Sequence, residues 1–297
     1  KNMNIAINGF GRIGRAVFKS LLNKKGVNVV AINDLTDTKT LAHLLKYDST
    51  YGVFDKEIGF GEGYISVDGK KFQVLSQKDP VQLPWKDLKV DIVLECTGLF
   101  AKKELAAVHI SAGAKKVIVS APCDSATPGF VLGVNAEKYD SSIDVMDMGS
   151  CTTNCLAPVA KVLHDTFGIE KGFMTTAHSY TNDQKILDLP HKDLRRARAA
   201  ALNIIPTSNG AAKAIGKMIP ELQGKLDGIS LRVPTPVVSI LDLVVNVGKS
   251  TTKEEVNEVF ELAAKKDNFK GIFRVEEQEL VSSDFKGDSY SSIVDLE

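Results

Sequence analysis

Near the start of the chain, Gly9-Phe10-Gly11-Arg12-Ile13-Gly14 has the spacing G-x-G-x-x-G. Glycines are common in turns, so this spacing gains meaning only between a strand and a helix. That context is present. Asn4–Asn8 is a short apolar run, and Arg12–Lys24 has the period of an amphipathic helix with Ile13, Val17, Leu21 and Leu22 turned inward. In such a unit Gly9 permits a tight turn, Gly11 lets a pyrophosphate approach the backbone, and Gly14 lets helix and strand pack closely. The free N–H groups of the helix then face the phosphates. Asp34 ends the next strand, 20 positions beyond Gly14, where a carboxylate binds ribose hydroxyls and repels a 2′-phosphate. The pattern predicts a dinucleotide site that prefers NAD to NADP.

A second chemical signal lies mid-chain, in Ser150-Cys151-Thr152-Thr153-Asn154-Cys155. The periodicity predicts a helix over Thr152–Phe167, which places Cys151 at its start. Backbone N–H groups and the helix dipole favour a thiolate there. Cys155 sits one helical turn further on, a spacing that does not favour a disulfide, and no zinc-ligand pattern surrounds the pair. Cys155, Cys96 and Cys123 are therefore read as small buried side chains, and no metal site is expected.

The elements that must position these residues change character along the chain. Strands at 27–32, 90–96 and 116–120 alternate with helices at 38–46 and 102–112. Tyr64–Leu75 reads as a hairpin about Asp68-Gly69, a favoured pair for a tight turn. Such alternation implies parallel strands with helices on both faces. Beyond residue 150 longer strands dominate (172–178, 228–234 and 237–247), which suggests a mixed or antiparallel sheet. The expectation is an α/β chain: a Rossmann-type parallel domain over 1–150, then an α+β catalytic domain over 151–297. A length of 297 residues suits two domains at about 150 residues each. The 37 basic and 37 acidic residues balance to a formal charge of zero, which argues against dedicated nucleic-acid binding. No apolar run approaches a membrane span, and no secretion signal opens the chain. A cytoplasmic protein is expected.

Four stretches carry a resemblance: Asn8–Arg15, Ser150–Pro158, His191–Arg198 and Leu231–Pro236. Together they closely resemble glyceraldehyde-3-phosphate dehydrogenase, and the likeness runs from Asn4 to about Val294. The resemblance implies a glycolytic, NAD-dependent, phosphorylating enzyme, usually a cytoplasmic homotetramer. Its substrates would be glyceraldehyde 3-phosphate and inorganic phosphate. It makes Cys151 the nucleophile and His178 its base, a role spacing alone does not assign to His178. It implies cofactor contacts at Gly9, Gly11, Arg12, Ile13, Gly14, Asp34, Lys78, Thr97 and Ser120. Thr181 and Arg232 would hold the substrate phosphate, and Ser150, Thr152, Asn209, Gly210 and Arg195 the attacking phosphate. The basic run Lys192–Arg198 is then a loop that packs at a subunit interface and delivers Arg195.

Three departures from the family pattern stand out. Asn209 replaces the usual threonine before Gly210, which alters the reach of one phosphate contact. Asp147-Met148-Gly149 replaces Ser-Asn-Ala and adds a negative charge near an anion site. The sequence also stops at Glu297, before the family's final strand and helix and the asparagine that contacts the nicotinamide amide. A related dehydrogenase of a longer sugar phosphate such as erythrose 4-phosphate is one alternative. An NAD-binding interaction protein with weakened catalysis is another.

Overall fold

A computed structural model describes residues 2–208 and 210–297, and Asn209 lies outside the described residues. The chain divides into two compact units. The first comprises Lys1–Gly129 and Tyr139–Met148, and the second Phe130–Lys138 and Gly149–Glu297. The short stretch Phe130–Lys138 joins the second unit because Val131 and Val134 are buried in that unit's core.

In chain order the first unit contains β1 (Met3–Asn8), α1 (Arg12–Leu22), β2 (Val27–Asn33), α2 (Thr38–Lys46), β3 (Tyr47–Asp48) and β4 (Gly52–Val53). It continues with β5 (Ile58–Gly61), β6 (Tyr64–Val67), β7 (Lys70–Leu75), β8 (Ile92–Glu95), α3 (Lys103–Ala106), α4 (Val108–Ser111), β9 (Lys116–Val119) and β10 (Val145–Asp147). Eight of these strands form one sheet in the order β10-β9-β8-β1-β2-β7-β6-β5. Its centre is parallel, and β5-β6-β7 is an antiparallel extension. Alternating side chains of the parallel strands feed two cores. Ile7, Ile32 and Val74 face one side with Phe18, while Ala6, Ala31, Val93 and Val117 face the other with Trp85. This is the doubly wound Rossmann-type arrangement that strand-helix alternation implies.

The hairpin of β6 and β7 turns at Asp68 and Gly69, both at positive φ (47° and 80°), as a tight primed turn requires. Two local expectations differ from the structure. Ile13 is exposed rather than inward. The close approach of Gly14 to β1 sets Gly14 and Phe18 as the buried stripe of α1, and Ile13 then lies about 100° round the helix. The single helix expected at 102–112 is two short segments meeting at Ala107, with Ala106 and His109 both fully buried.

The second unit contains α5 (Cys151–Phe167), β11 (Ile169–Ser179), β12 (Ile205–Ser208), α6 (Ala211–Met218) and β13 (Leu226–Val233). It ends with β14 (Ile240–Val247), α7 (Lys253–Ala264), β15 (Phe273–Glu276) and β16 (Ser292–Asp295). The sheet order is β12-β13-β11-β14. β11 and β13 are parallel, and the other two pairings are antiparallel, so the sheet is mixed. Leu241, Leu243, Val245 and Val247 of β14 pack on the core beneath α5, α6 and α7. The alternate residues Ile240 and Val244 are exposed. Among the described residues no helix is long and apolar enough to cross a membrane.

Candidate dinucleotide and active sites

The parallel strands of the first unit end in one row, because Asn8 pairs in register with both Asn33 and Glu95, and Glu95 pairs with Val119. Gly9, Asp34, Thr97 and Ser120 therefore all follow the C-terminal edge of the sheet. The strand order reverses at β1, and ligands of such sheets sit at that point of reversal. Gly9 has φ +92°, and a Cβ there would lie 2.8 Å from the Thr97 nitrogen, so only glycine fits. At Gly14 a Cβ would lie 2.1 Å from the Gly9 carbonyl oxygen. At Gly11 a Cβ would meet nothing within 4 Å, which leaves that side of the turn open to a bulky group.

The first turn of α1 has no side-chain cap, so its leading N–H groups face outward without a side-chain acceptor. Asp34 braces the turn: its Oδ2 accepts the Phe10 N–H (2.7 Å) and its Oδ1 the Thr36 N–H (2.9 Å). Arg15 adds a bond from Nη1 to the Phe10 carbonyl (2.9 Å). A pyrophosphate fits this open, uncapped turn with its small residues and nearby carboxylate. Arg12, Ile13 and Lys78 are exposed, while Thr97 and Ser120 are half-buried. Ser120 hydrogen-bonds the Cys96 sulfur, and burial pushes that thiol up to about 11.

Beneath this edge lies a polar network that the sequence reading missed. Glu95 and His109 are completely buried. Trp85 Nε1 donates to His109 Nδ1 (3.0 Å), which leaves His109 Nε2 to donate to Glu95 Oε2 (3.0 Å). Asn8 Nδ2 donates to the same carboxylate (2.6 Å), and Asn8 Oδ1 accepts from Asn33 Nδ2 (2.7 Å). The Thr97 N–H (2.7 Å) and hydroxyl both donate to Glu95 Oε1. The available signal was a polar residue closing each apolar strand: Asn8, Asn33 and Glu95.

In the second unit Ser150 caps α5 by accepting the Thr153 N–H (3.1 Å). The helix therefore opens at Cys151, one residue before the expected start. Cys151 has exposed surface, and its Sγ lies 3.3 Å from His178 Nε2. Protein crowded round the sulfur pushes the thiol pKa up. The hydrogen bond and charge of His178, with bonds from Thr152, outweigh that push and hold it below the ordinary thiol value. Cys155 shows the contrast, since burial drives it up to about 11. His178 is buried near the end of β11, and its Nδ1 lies 2.6 Å from the Ser179 carbonyl oxygen. Parallel pairing sets Arg232 of β13 in register with His178, and Arg232 Nη1 lies 2.8 Å from Nδ1.

The remaining expected residues are less concentrated. Ser150 and Thr152 flank Cys151, with Thr152 buried. Thr181 is exposed just beyond β11, where its N–H donates to Gln184 Oε1 (3.3 Å). Gly210 precedes α6 and faces open space. Arg195 is exposed in a loop whose other charges are largely paired. Arg196 bridges Asp183 and Asp193, and Arg198 pairs with Asp188 (3.0 Å). The run Lys192–Arg198 is thus braced by acids rather than left as an open basic patch. Asp147 is fully buried at the end of β10, where its Oδ2 accepts the Cys123 N–H (3.2 Å).

Comparison with known proteins agrees with this geometry. Residues 3–103 match the NAD binding domain of glyceraldehyde 3-phosphate dehydrogenase, and residues 150–297 match its C-terminal domain. The glyceraldehyde-3-phosphate dehydrogenase of Borreliella burgdorferi is 56% identical over 299 residues, covering 99% of this chain and 89% of that protein. That of Geobacillus stearothermophilus is 55% identical, covering 99% and 88%. The chloroplastic enzyme of Arabidopsis thaliana is 54% identical, covering 99% and 74%. With an NAD-binding domain, a cysteine–histidine pair and identity along nearly its whole length, this chain belongs to the glyceraldehyde-3-phosphate dehydrogenase family.

Proposed function

We propose that this protein oxidises D-glyceraldehyde 3-phosphate, with NAD and inorganic phosphate, to 1,3-bisphosphoglycerate through a thioester on Cys151. The observation that carries this reading is the 3.3 Å approach of Cys151 Sγ to His178 Nε2 at the start of α5. The Cys151 thiolate adds to the aldehyde carbon and forms a hemithioacetal. His178 removes the hydroxyl proton as the carbon gives up its hydride, which leaves a thioester on sulfur. NAD, when bound, supplies the hydride acceptor. Phosphate then attacks the thioester carbon and the sulfur leaves as thiolate, so the free energy of oxidation is retained in an acyl phosphate.

Gly9, Gly11, the N–H groups of Arg12, Ile13 and Gly14, and Asp34 would hold the dinucleotide, with Lys78, Thr97 and Ser120 along the same edge. Arg232 and Thr181 would take the substrate phosphate. Arg195, Ser150, Thr152, Asn209 and Gly210 would surround the attacking phosphate. Arg232 offers a planar fork suited to a phosphate. Exposed Phe173, Ile240 and Val244 on the outer face of the mixed sheet support self-association, and the family expectation is a homotetramer. None of the four cysteines is in a disulfide, which accords with a reducing cytoplasm.

The test is rapid mixing of NAD-loaded protein with D-glyceraldehyde 3-phosphate in the absence of phosphate. A burst of one NADH per Cys151 is expected, with turnover resuming on addition of phosphate. Native protein that forms no NADH would refute the reading. Analytical ultracentrifugation reports the assembly.

A further inference from the structure

Every hydrogen bond around Glu95 runs toward its carboxylate, and fixed groups at both ends of the network impose that direction. At one end the Gln77 backbone N–H donates to Asn33 Oδ1 (2.8 Å), and Asn33 Nδ2 donates to the Gln77 carbonyl (2.9 Å). A backbone amide cannot reverse its polarity, so the Asn33 side chain is oriented, and its Nδ2 also donates to Asn8 Oδ1 (2.7 Å). Asn8 is left with Nδ2 toward Glu95 Oε2 (2.6 Å). At the other end an indole N–H only donates, so Trp85 at 3.0 Å requires a lone pair on His109 Nδ1. A ring with that lone pair is neutral and carries its proton on Nε2, 3.0 Å from Glu95 Oε2. The Thr97 N–H (2.7 Å) and hydroxyl supply Oε1.

The ionised carboxylate, with acceptor sites on both oxygens, is the form that four converging donors satisfy. Because His109 is neutral, this fully buried charge has no counter-ion there, and no lysine or arginine pairs with Glu95 among the described residues. The charge is felt beyond the network. Burial raises the neighbouring Cys96 thiol, and the negative charge of Glu95 adds to that rise.

Strand order decides which part of a dinucleotide meets this charge. β1 lies between β2 and β8. Asp34 after β2 serves the adenosine ribose and the glycine turn after β1 serves the pyrophosphate, so the nicotinamide half falls on the β8 side, with Glu95 and Thr97. The nicotinamide ring is cationic in NAD+ and neutral in NADH, and the two cofactors are otherwise alike in charge.

We propose that Glu95 is a specificity-determining residue that favours the oxidised cofactor over the reduced one. A buried carboxylate without a counter-ion attracts a cationic ring through the domain interior and has no such attraction for a neutral ring. Once hydride has been accepted the attraction ends, and NADH exchanges for fresh NAD+ more readily. By linkage the same preference makes bound NAD+ a weaker hydride acceptor by the same factor. This role rests on the dinucleotide reading above and adds to it a discrimination between the two redox states.

The test is calorimetric titration of protein stripped of cofactor with NAD+ and, separately, with NADH. Glu95→Gln should lower the affinity for NAD+ relative to NADH by about three- to tenfold, the scale of a unit charge acting through partly shielded protein. A merely structural disturbance of the turn weakens both cofactors together, because they share adenosine and pyrophosphate, and leaves the ratio unmoved. Combining Glu95→Gln with Asn8→Asp exchanges acid and amide across one 2.6 Å contact, which keeps the charge and a donor facing it. This double variant should recover most of the native ratio. A folded Glu95→Gln protein with the native ratio overturns the proposal, as does a double variant that keeps the altered ratio. In native protein, 15N spectra should show His109, identified by its contact with the chain's single tryptophan, neutral and protonated at Nε2. A doubly protonated His109 would neutralise the charge and overturn the proposal even if neither variant folds. Native protein that binds neither cofactor refutes the dinucleotide reading and takes the proposal with it.

Discussion

The buried edge of the eight-stranded sheet and the first turn of α5 both gather polar side chains, yet they use their hydrogen bonds differently. Around Glu95 both carboxylate oxygens are engaged, and both ring nitrogens of His109 have partners. Such a network has one arrangement, because losing any member strands another in a low-dielectric interior. Around Cys151 the balance is deliberately uneven. His178 Nδ1 faces both the Ser179 carbonyl and Arg232 Nη1, and among the described residues Arg232 Nε has no hydrogen-bond partner. A saturated network holds a shape, and an unsaturated one leaves groups free to meet a reactant.

This contrast predicts activity loss without unfolding at one region and unfolding without chemical loss at the other. Cys151→Ser should abolish both NADH formation and rapid iodoacetamide labelling, with thermal denaturation unchanged, because an alcohol is not ionised at neutral pH. Retained turnover would remove the thioester route. His178→Asn should slow the burst by about 10²–10⁴-fold, with NAD affinity preserved in a fluorescence titration. A loss confined to NAD affinity would move His178 from base to cofactor contact.

Glu95→Ala probes the other region. It leaves Asn8, Thr97 and His109 without their shared acceptor, and each buried donor left unsatisfied costs about 1–3 kcal/mol. Chemical denaturation should show this loss, while Cys151 labelling in still-folded protein keeps its rate. Equal stability would mean that the network can rearrange, and the comparison would fail.

Two smaller effects sharpen the distinction. The thiolate is the reactive form, so a lowered Cys151 pKa moves the alkylation midpoint to a pH below that of an ordinary thiol, about 8.5. His178→Asn removes the stabilising partner and should move that midpoint upward. Cys96 and Cys155, pushed to about 11, should stay unlabelled at neutral pH in a peptide map. Asp34→Ala should narrow the preference for NAD over NADP by removing a ribose acceptor and a repulsion together. Because Asp34 also holds the Phe10 N–H, affinity for both cofactors should fall somewhat. An unchanged NAD-to-NADP ratio in steady-state kinetics would leave Asp34 only its bracing role.

Local pattern was enough for several features. The strand, glycine turn and helix from Met3 to Leu22 follow from residue type and period, as does the placing of Cys151 at a helix start. The error at Ile13 is instructive, because side-chain hydrophobicity favoured one face while the absence of a side chain at Gly14 chose another. The Asp68-Gly69 hairpin was legible because turn geometry is dictated by a few adjacent residues. His178 was not, since a histidine on a strand has no local mark of its partner, and only the family resemblance singled it out.

The amino-acid sequence by itself determined the chemical types on hand: a nucleophilic thiol, a phosphate-accepting turn, an acid for a ribose, and the alternation that builds a parallel sheet. Those properties depend on neighbours within a few positions. Tertiary structure alone decided that His178 lies against Cys151, that Arg232 and the Ser179 carbonyl converge on one ring nitrogen, and that Glu95 draws in Asn8, Thr97 and His109. His178 and Arg232 are separated by 54 positions, and they meet because β11 and β13 pair in one particular register. Register is set by the packing of whole strands on a core, and no local period carries it.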